Sequence, residues 1–310
     1  MKVFVSGATG YIGKALLNAL HRAGHTSVGL AREKERAEMM PGAGREWVIG
    51  NLRDARTYAF EAAACDAIVH LGADMSSFAT VDRISVETLL SAAGKGTGPK
   101  VLVYTSGVWV LGATGDTPAD ERSPLHPAPL IAARVQHEEM VLGTRSDQLT
   151  TAVVRPGIVY GGRGGIVEGF FADAVAKGRP TVVGDGDNRW PGVHLGDLCD
   201  LYVRLLEAAS STAVRKLSPE ERVFHAVAPA AETVSSIARA ASRAAGREDT
   251  VHFWPLEEAR EKLGGFADAL VLDQVVSSGR SEAILGWRPR FRGFVPNAPE
   301  LFEEWQSGRC

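Results

Sequence analysis

Apolar, largely β-branched runs alternate along the first half of the chain with stretches in which apolar residues recur at helical spacing. Lys2–Ser6 predicts a strand. Tyr11–Gly24 predicts a helix, because Ile12, Leu16 and Leu20 fall on one face. Further strands are predicted at the segments TSVGLA, REWVIG, DAIVHLG, KVLVYTS and LTTAVVRPG, with helices near residues 54–64, 80–93 and 128–143.

The predicted strands are apolar on both faces, as strands of a buried parallel sheet are. Strand and helix alternation in this order indicates an α/β protein with a doubly wound parallel sheet and right-handed crossovers.

The pattern changes beyond residue 160. Helices are predicted at GIVEGFFADAVAKG, GDLCDLYVRLLEAA and TVSSIARAASRAAG, a returning strand at ERVFHAV, and no strand order is evident from Val251 onward. We therefore expect residues 1–160 to form the main domain, with segments at about 190–228 returning to it. Residues 161–310 would mainly form a smaller, mixed α/β substrate-binding subdomain over the carboxyl edge of the sheet.

Composition narrows the range of partners and compartments. The 310 residues carry a formal charge of -3, which favours neither nucleic acid nor an anionic membrane as a partner. No window approaches the roughly 20 apolar residues of a membrane span, and the first residues lack a signal-peptide pattern, so a cytoplasmic location is expected. Cys65, Cys199 and Cys310 are widely spaced without a C-x-x-C pair, which argues against a disulfide framework and a zinc site.

The segment SGATGYIG follows the first strand and opens the first helix. Gly7 permits a tight turn, Gly10 lets the backbone approach a pyrophosphate, and Gly13 allows close helix–strand packing. This spacing predicts a dinucleotide-binding loop; the alternative is a glycine turn in a nucleotide-free, flavodoxin-like sheet. The remaining candidate contacts of the loop are Thr9, Tyr11 and Ile12.

The end of the second predicted strand bears on which dinucleotide binds. NAD sites usually carry an acidic residue there, whereas this chain has Ala31 and Arg32. A guanidinium can bind a 2′-phosphate with two hydrogen bonds, so we favour NADP over NAD. The alternative is a solvated charge run, which explains Lys34 and Arg36 better than Arg32. Further cofactor candidates are Asn51 and Leu52 at the adenine and Leu71, Gly72 and Ala73 along the pyrophosphate.

The segments GATGYIG, GNLRD, VHLGA, VLVYTSGVWVLG, VVRPGIVYG, VHLGDLCDLYVRLLE and LGWRP follow one another in this order. In this succession the chain resembles the NAD(P)-dependent epimerase/dehydratase group of extended short-chain dehydrogenase/reductases over nearly its whole length. The resemblance implies a Rossmann fold, a bound NAD(P), a small-molecule substrate and a possible homodimer. It also implies cofactor contacts at Thr105, Arg134, Pro156, Gly157 and Ile158.

In that family a serine or threonine, a tyrosine and a lysine carry the chemistry. The resemblance places Gly107, Leu130 and Arg134 at these positions, and no tyrosine lies between Tyr104 and Tyr160. Arg134 can still bind the ribose but stays protonated, so it is a poor proton relay. Leu130 has no proton to give, and such assistance typically contributes about 10²–10⁴-fold.

Other side chains could replace the missing acid or line the substrate pocket. Ser106 could orient substrate or merely satisfy backbone at a strand end, and the phenol of Tyr160 could be catalytic or a packing residue. Asp74 could be a base or a loop cap, and Trp109 could wall the pocket or pack in the core. His126 and His137 titrate in a useful range, although His137 is expected on a helix face. The resemblance further suggests Arg189, Trp190 and His194 as substrate-side residues, with Asp197 as a helix-end acid.

Together these features favour an atypical extended short-chain reductase that uses NADP(H) on a small carbonyl or imine. An imine needs less proton assistance than a ketone, which suits a site without the tyrosine. One alternative is a dinucleotide-binding regulator or scaffold without turnover, of the NmrA type. Another is a sugar-nucleotide epimerase or dehydratase, which depends most on the tyrosine.

Overall fold

The computed structural model describes residues 1–74, 77–95, 98–144 and 146–308, with only the backbone of Thr212. Its strands are β1 (Lys2–Ser6), β2 (Thr26–Ala31), β3 (Arg45–Ile49), β4 (Ala67–His70), β5 (Lys100–Thr105), β6 (Leu149–Pro156), β7 (Ile158–Tyr160), β8 (Thr181–Val183), β9 (Arg189–His194), β10 (Val223–Ala226), β11 (Ala231–Thr233) and β12 (His252–Trp254).

The helices follow the alternation predicted for the first half of the chain and dominate the second. They are α1 (Tyr11–Arg22), α2 (Lys34–Glu38), α3 (Ala59–Ala63), α4 (Phe78–Gly94), α5 (Ala132–Gly143), α6 (Glu168–Lys177), α7 (Leu195–Ser210), α8 (Thr212–Arg215), α9 (Val234–Ala244), α10 (Leu256–Leu263), α11 (Gly265–Leu270), α12 (Gly279–Leu285) and α13 (Ala298–Ser307).

Seven parallel strands form the central sheet in the order β10-β6-β5-β4-β1-β2-β3. The order reverses direction between β1 and β4, which is the switch point where doubly wound sheets bind their ligands. This confirms the predicted fold class, and ERVFHAV does return as the edge strand β10.

The sheet is buried on both faces because its strands are apolar at successive positions. Val3 and Val5 pack with α1 and α7 on one face, whereas Phe4 between them packs with α3 and α4 on the other. Helix α1 contributes Leu16 and Leu20, both fully buried, to the first layer. The strand edge that bears the glycine loop is therefore held rigidly from both sides.

The C-terminal half supplies a separate apolar core beside the carboxyl edge of the sheet. Here β7, β9 and β11 form a three-stranded sheet, and β12 pairs with β8 although no strand was evident there from the sequence. Helices α6, α9 and α13 cover this core. Helix α7 and strand β10 belong to the central layers, while the division of the chain at residue 160 stays a prediction.

The structure also bears on three local expectations from the sequence: the helix near residues 54–64, the state of the cysteines and the absence of a membrane-spanning helix. The helix predicted near residues 54–64 is a 3₁₀ turn at Ala55–Thr57 followed by α3, because the Asp54 side chain accepts a hydrogen bond from the Arg56 amide. Cys65 and Cys199 are buried free thiols, and Cys310 lies outside the described residues. Within the described ranges, no helix is both long and apolar enough to cross a membrane.

Candidate dinucleotide and substrate cleft

The glycine loop between β1 and α1 has the backbone geometry that its spacing predicts. Gly7 has a φ of +68°, and a Cβ atom there would lie 2.7 Å from the backbone nitrogen of Gly72. Helix α1 begins directly after Gly10 and has no side-chain cap at its N-terminus. Its first amide groups thus point toward the end of the sheet, where the helix dipole favours an anion.

A cavity of about 540 Å³ extends from this loop across the ends of β1, β2 and β4. It brings together most of the predicted adenosine and pyrophosphate contacts. Its lining consists of Gly7, Thr9, Gly10, Leu30, Arg32, Arg36, Gly50, Asn51, Leu52, Arg53, Leu71, Gly72, Ala73 and Asp74.

Three guanidinium groups lie in the lining of this first cavity. Arg32 follows β2 directly, Arg36 is the third residue of α2, and Arg53 follows the GNL segment. Arg36 also pairs with Glu33 at 3.2 Å, and Arg53 pairs with Asp74 at 2.7 Å. Arg53 was not among the sequence candidates, and its place directly after Leu52 was the available signal. This concentration of positive charge suits a phosphate.

A second cavity of about 270 Å³ adjoins the glycine loop at Tyr11 and Ile12 and reaches Gly165 and Ile166, which precede α6. Arg134 is the one charged side chain among the described residues that line it. The lining consists of Tyr11, Ile12, Ser106, Gly107, Val108, Trp109, Ile131, Arg134, Pro156, Gly157, Ile158, Val159, Gly165 and Ile166. Such an enclosure favours an uncharged, largely apolar group.

Two polar side chains line this apolar cavity, one with a hydrogen-bond partner and one without. The Nη1 atom of Arg134 donates a hydrogen bond to the Thr105 carbonyl oxygen at 2.9 Å, and Arg134 is among the residues that line the cavity. The Ser106 hydroxyl is buried and has no hydrogen-bond partner within the described structure. A buried hydroxyl without a partner is costly, so a ligand that bonds to it would recover that free energy.

The position that the resemblance assigned to the tyrosine needs correction. Leu130 precedes α5, is 45% exposed and lies beside Gly265, outside both cavities. Ile131 lines the second cavity instead and is 6% exposed. The shift arises because α5 begins only at Ala132, so helical spacing does not extend back from Arg134 to Leu130. Neither residue can supply a proton.

Tyr11 is the one phenol in the described lining of the second cavity. Its hydroxyl donates to the Gly161 carbonyl oxygen at 2.6 Å. The predicted catalytic residue Tyr160 lies elsewhere, with its ring 5.8 Å from that of His194 and 5.6 Å from that of Phe294. Burial raises the pKa of Tyr160, and the structure does not bring its hydroxyl to either cavity.

The predicted substrate-side residues separate into two groups. Trp109 lines the second cavity and meets Phe266 edge-on, with ring centroids 5.9 Å apart. Asp74 lies in the first cavity rather than near the substrate end. The next three candidates lie outside both cavities.

Arg189, Trp190 and His194 are each held by partners outside both cavities. Arg189 forms ion pairs with Asp273 at 2.6 Å and Asp116 at 2.9 Å. Trp190 stacks on Phe170 and donates to the Leu270 carbonyl oxygen, bordering a separate cavity of about 160 Å³.

His194 instead caps α7 by accepting from the Gly196 amide, and its Nε2 atom lies 3.2 Å from Glu304. The expected helix-end acid Asp197 accepts from the Phe291 amide. These residues therefore have structural partners and do not face the cleft.

The sequence matches a known family and is similar to known proteins along most of its length. The model of the NAD dependent epimerase/dehydratase family matches residues 3–217. An uncharacterized protein of Schizosaccharomyces pombe is 30% identical over 298 residues, covering 93% of this chain and 95% of the relative. A Streptomyces protein named 3-diazoavenalumate denitrifying reductase is 29% identical over 306 residues, covering 93% and 96%.

A solved structure shows that the likeness extends to the fold. The crystal structure of human epimerase family protein SDR39U1 with NADPH is 25% identical, with a TM-score of 0.77 and coverage of 98% of this chain and 99% of that one. The neighbour's fold aligns with this chain throughout.

Proposed function

This chain belongs to the NAD dependent epimerase/dehydratase family, and on that premise we propose that it is an NADP(H)-dependent reductase of small apolar carbonyl or imine substrates. The observation that carries the proposal is the buried, unpartnered hydroxyl of Ser106 in the apolar second cavity, beside Arg134. Arg32, Arg36 and Arg53 line the first cavity, which suits the phosphates of a dinucleotide.

The residues present fit a dinucleotide along the whole cleft. The glycine loop and the N-terminus of α1 would hold the pyrophosphate, and Asn51 and Leu52 would contact the adenine. Arg32, with Arg36 beside it, would bind a 2′-phosphate, which supports NADP over NAD. When bound, the nicotinamide supplies or accepts a hydride.

Around the nicotinamide end, five positions would form the remaining contacts. Arg134 and the Thr105 carbonyl would lie at the ribose side, because the resemblance puts Arg134 where the family carries its lysine. The β6–β7 junction closes the opposite wall with Pro156, Gly157 and Ile158.

Ser106 is the side chain best placed to orient a substrate. Its hydroxyl can donate one hydrogen bond to a substrate oxygen or nitrogen and so stabilise charge that develops there in a water-poor cavity. It is not a strong acid, and Arg134 stays protonated, so the final proton would come from solvent. This favours acceptors that need little proton assistance, such as iminium carbons.

The charge distribution argues against a sugar-nucleotide substrate. A nucleotide diphosphate needs cations on the substrate side, but Arg189 is already paired with Asp116 and Asp273. The walls of the second cavity are instead apolar, with Trp109, Ile131 and Ile166 among them. These contacts support a small apolar or aromatic substrate.

The two described cysteines are free thiols, which supports a reducing, cytoplasmic setting for this activity. A homodimer stays a prediction.

The test is NADPH consumption by the purified protein with a panel of aldehydes, ketones, cyclic imines and an aryl diazo compound. The last is included because one relative is named as a denitrifying reductase. For any substrate turned over, Ser106→Ala is expected to lower kcat by about tenfold or more while NADPH affinity is retained, since Ser106 acts on the substrate. Ser123→Ala, on an exposed turn away from both cavities, is the matched control.

Tight NADPH binding without turnover of any panel member would contradict the reductase and favour the regulatory alternative. If Ser106→Ala consumed NADPH as fast as the wild type, only the role of Ser106 would be contradicted, and the reductase activity would stand.

A further inference from the structure

A buried carboxylate that lines neither cavity was not among the sequence candidates. Asp82, on α4, accepts hydrogen bonds from Nε2 of His70 at 3.0 Å and from the Tyr104 hydroxyl at 2.7 Å. Nδ1 of His137 lies 2.7 Å from Oδ2 of Asp82, the oxygen that also accepts from Tyr104, whereas His70 contacts Oδ1. All four side chains are nearly inaccessible to solvent, and the helix face on which His137 was expected is therefore a buried one.

One side of this cluster reaches the pyrophosphate end of the cleft. The Ser6 hydroxyl oxygen accepts from the backbone amides of Leu71 at 3.2 Å and Gly72 at 3.1 Å, and both residues line the first cavity. The single hydroxyl hydrogen of Ser6 is then left to donate to Nδ1 of His70, 2.6 Å away. This fixes His70 as the neutral tautomer that carries its proton on Nε2 and donates it to Asp82.

The other side reaches the nicotinamide end. His137 lies on α5 one turn after Arg134, so the two side chains share a helix face. The ring of Phe78, at the start of α4, lies 5.9 Å from the His137 ring and 4.6 Å from the Arg134 guanidinium. The contact between Asp82 and His137 thus joins α4 to α5 where Arg134 enters the second cavity.

Electrostatics favour an ionised carboxylate at the centre of the cluster. Burial alone would raise the pKa of Asp82, but the hydrogen bonds from His137 and His70 outweigh it and hold that pKa below its usual range. Burial also raises the pKa of Tyr104, so the phenol stays a hydrogen-bond donor. Removing one partner of such a buried network leaves the others unsatisfied.

We propose that Asp82 is a positioning residue that couples the two halves of the dinucleotide site. Through His70 and Ser6 it fixes the amides of Leu71 and Gly72, and through His137 and Phe78 it fixes Arg134. This inference rests on the dinucleotide binding proposed above. It assigns to Asp82, His70 and His137 a role in cofactor affinity although none of them lines either cavity.

The test measures, by calorimetry, the affinities for NADPH and for adenosine 2′,5′-bisphosphate, which represents only the adenosine half. His137→Leu should weaken NADPH binding by about tenfold and leave the fragment nearly unaffected, because only the Arg134 side is released. Ser6→Ala should weaken both ligands to a similar degree. Asp82→Ala should weaken NADPH more than either, and Asp82→Asn should restore part of the loss, because the amide can still accept from His70.

Coupling is tested by combining Ser6→Ala with His137→Leu. If Asp82 links the two sides, the double variant should weaken NADPH binding by less than the product of the single effects, whereas independent sites would give the product. Ile237→Ala is the control, because Ile237 is buried on α9 in the C-terminal apolar core, which contains no member of the Asp82 cluster, so its truncation lowers the melting temperature without removing a contact of that cluster.

Each outcome has one meaning. Variants of Asp82, Ser6 and His137 that bind both ligands as tightly as Ile237→Ala would overturn the inference while leaving the proposed function intact. Wild-type protein that binds neither NADPH nor NADH would overturn the proposed function and this inference with it.

Discussion

The guanidinium of Arg134 lies 4.6 Å from the ring centroid of Phe78, while its Nη1 atom donates to the Thr105 carbonyl oxygen at 2.9 Å. The cation is thus held from α4 on one side and from β5 on the other. A cation over an aromatic face contributes about 0.5–2 kcal/mol, and more as water is excluded. The arginine is therefore an ordered part of the cleft wall.

Replacing Arg134 should weaken cofactor binding more than it lowers the stability of the fold. Arg134→Met is expected to weaken NADPH binding by about tenfold or more, because it removes the one described charge in the second cavity. Arg134→Lys should retain part of the affinity, since an ammonium keeps the charge but not the planar fork. Fluorescence titration with NADPH measures both, with Arg83→Met on the exposed face of α4 as control. Equal affinity in Arg134→Met and wild type would contradict the role of Arg134.

The glycine loop offers a sharply matched pair of variants. Gly7 and Gly24 have φ values of +68° and +79°, so an alanine is strained at either position by about 1 kcal/mol. At Gly7 the new Cβ would also meet the backbone of Gly72, whereas at Gly24 nothing lies within 4 Å. Gly7→Ala should therefore abolish measurable NADPH binding and lower the melting temperature more than Gly24→Ala, which should bind normally. Calorimetry with NADPH and thermal unfolding decide this, and normal binding by Gly7→Ala would contradict the assignment of the loop.

The sequence predicts the sheet well because each of its strands is a short apolar run whose neighbours in space are set by the alternation with helices. The glycine loop is equally local, since its turn, its helix start and its close packing lie within eight residues of SGATGYIG. The order of the motifs then indicated the family. These features need no knowledge of distant contacts.

The substrate side could not be predicted in the same way. Arg189 pairs with Asp273 and Asp116, which are distant in the chain, and nothing in the local pattern signals that its charge is already satisfied. The place of Ile131 rather than Leu130 in the cleft depends on where α5 begins. The cluster around Asp82 likewise draws side chains from β4, β5, α4 and α5.

Cofactor preference should depend on Arg32. Arg32→Ser is expected to weaken NADPH binding by about tenfold while changing NADH affinity little, because only NADPH carries a 2′-phosphate for the guanidinium. Lys34→Ser is the matched control, since Lys34 is two residues away, pairs with Glu38 at 3.3 Å and does not line the first cavity. Comparing the dissociation constants for both nucleotides measures the effect. If Arg32→Ser lost affinity equally for both nucleotides, or lost affinity for neither, specific recognition of the 2′-phosphate would be contradicted.

Stability should fall in mild acid because of His225, which lies fully buried in β10. Burial first, and then the charge of Arg155, lowers its pKa to about 3, while Nδ1 donates to the Ser277 carbonyl oxygen. Unfolded histidine titrates near 6.5, so between about pH 6.5 and 3 the unfolded chain binds a proton that the native chain does not. The stability that neutral His225 contributes is therefore complete above about pH 6.5 and is lost as pH falls, by up to about 1.4 kcal/mol per pH unit. Chemical unfolding at pH 7, 6 and 5 should show a flatter pH dependence in His225→Gln than in wild type or in the exposed control His252→Gln. If all three proteins lost stability in parallel, the buried neutral His225 would not be the cause of the loss of stability in acid.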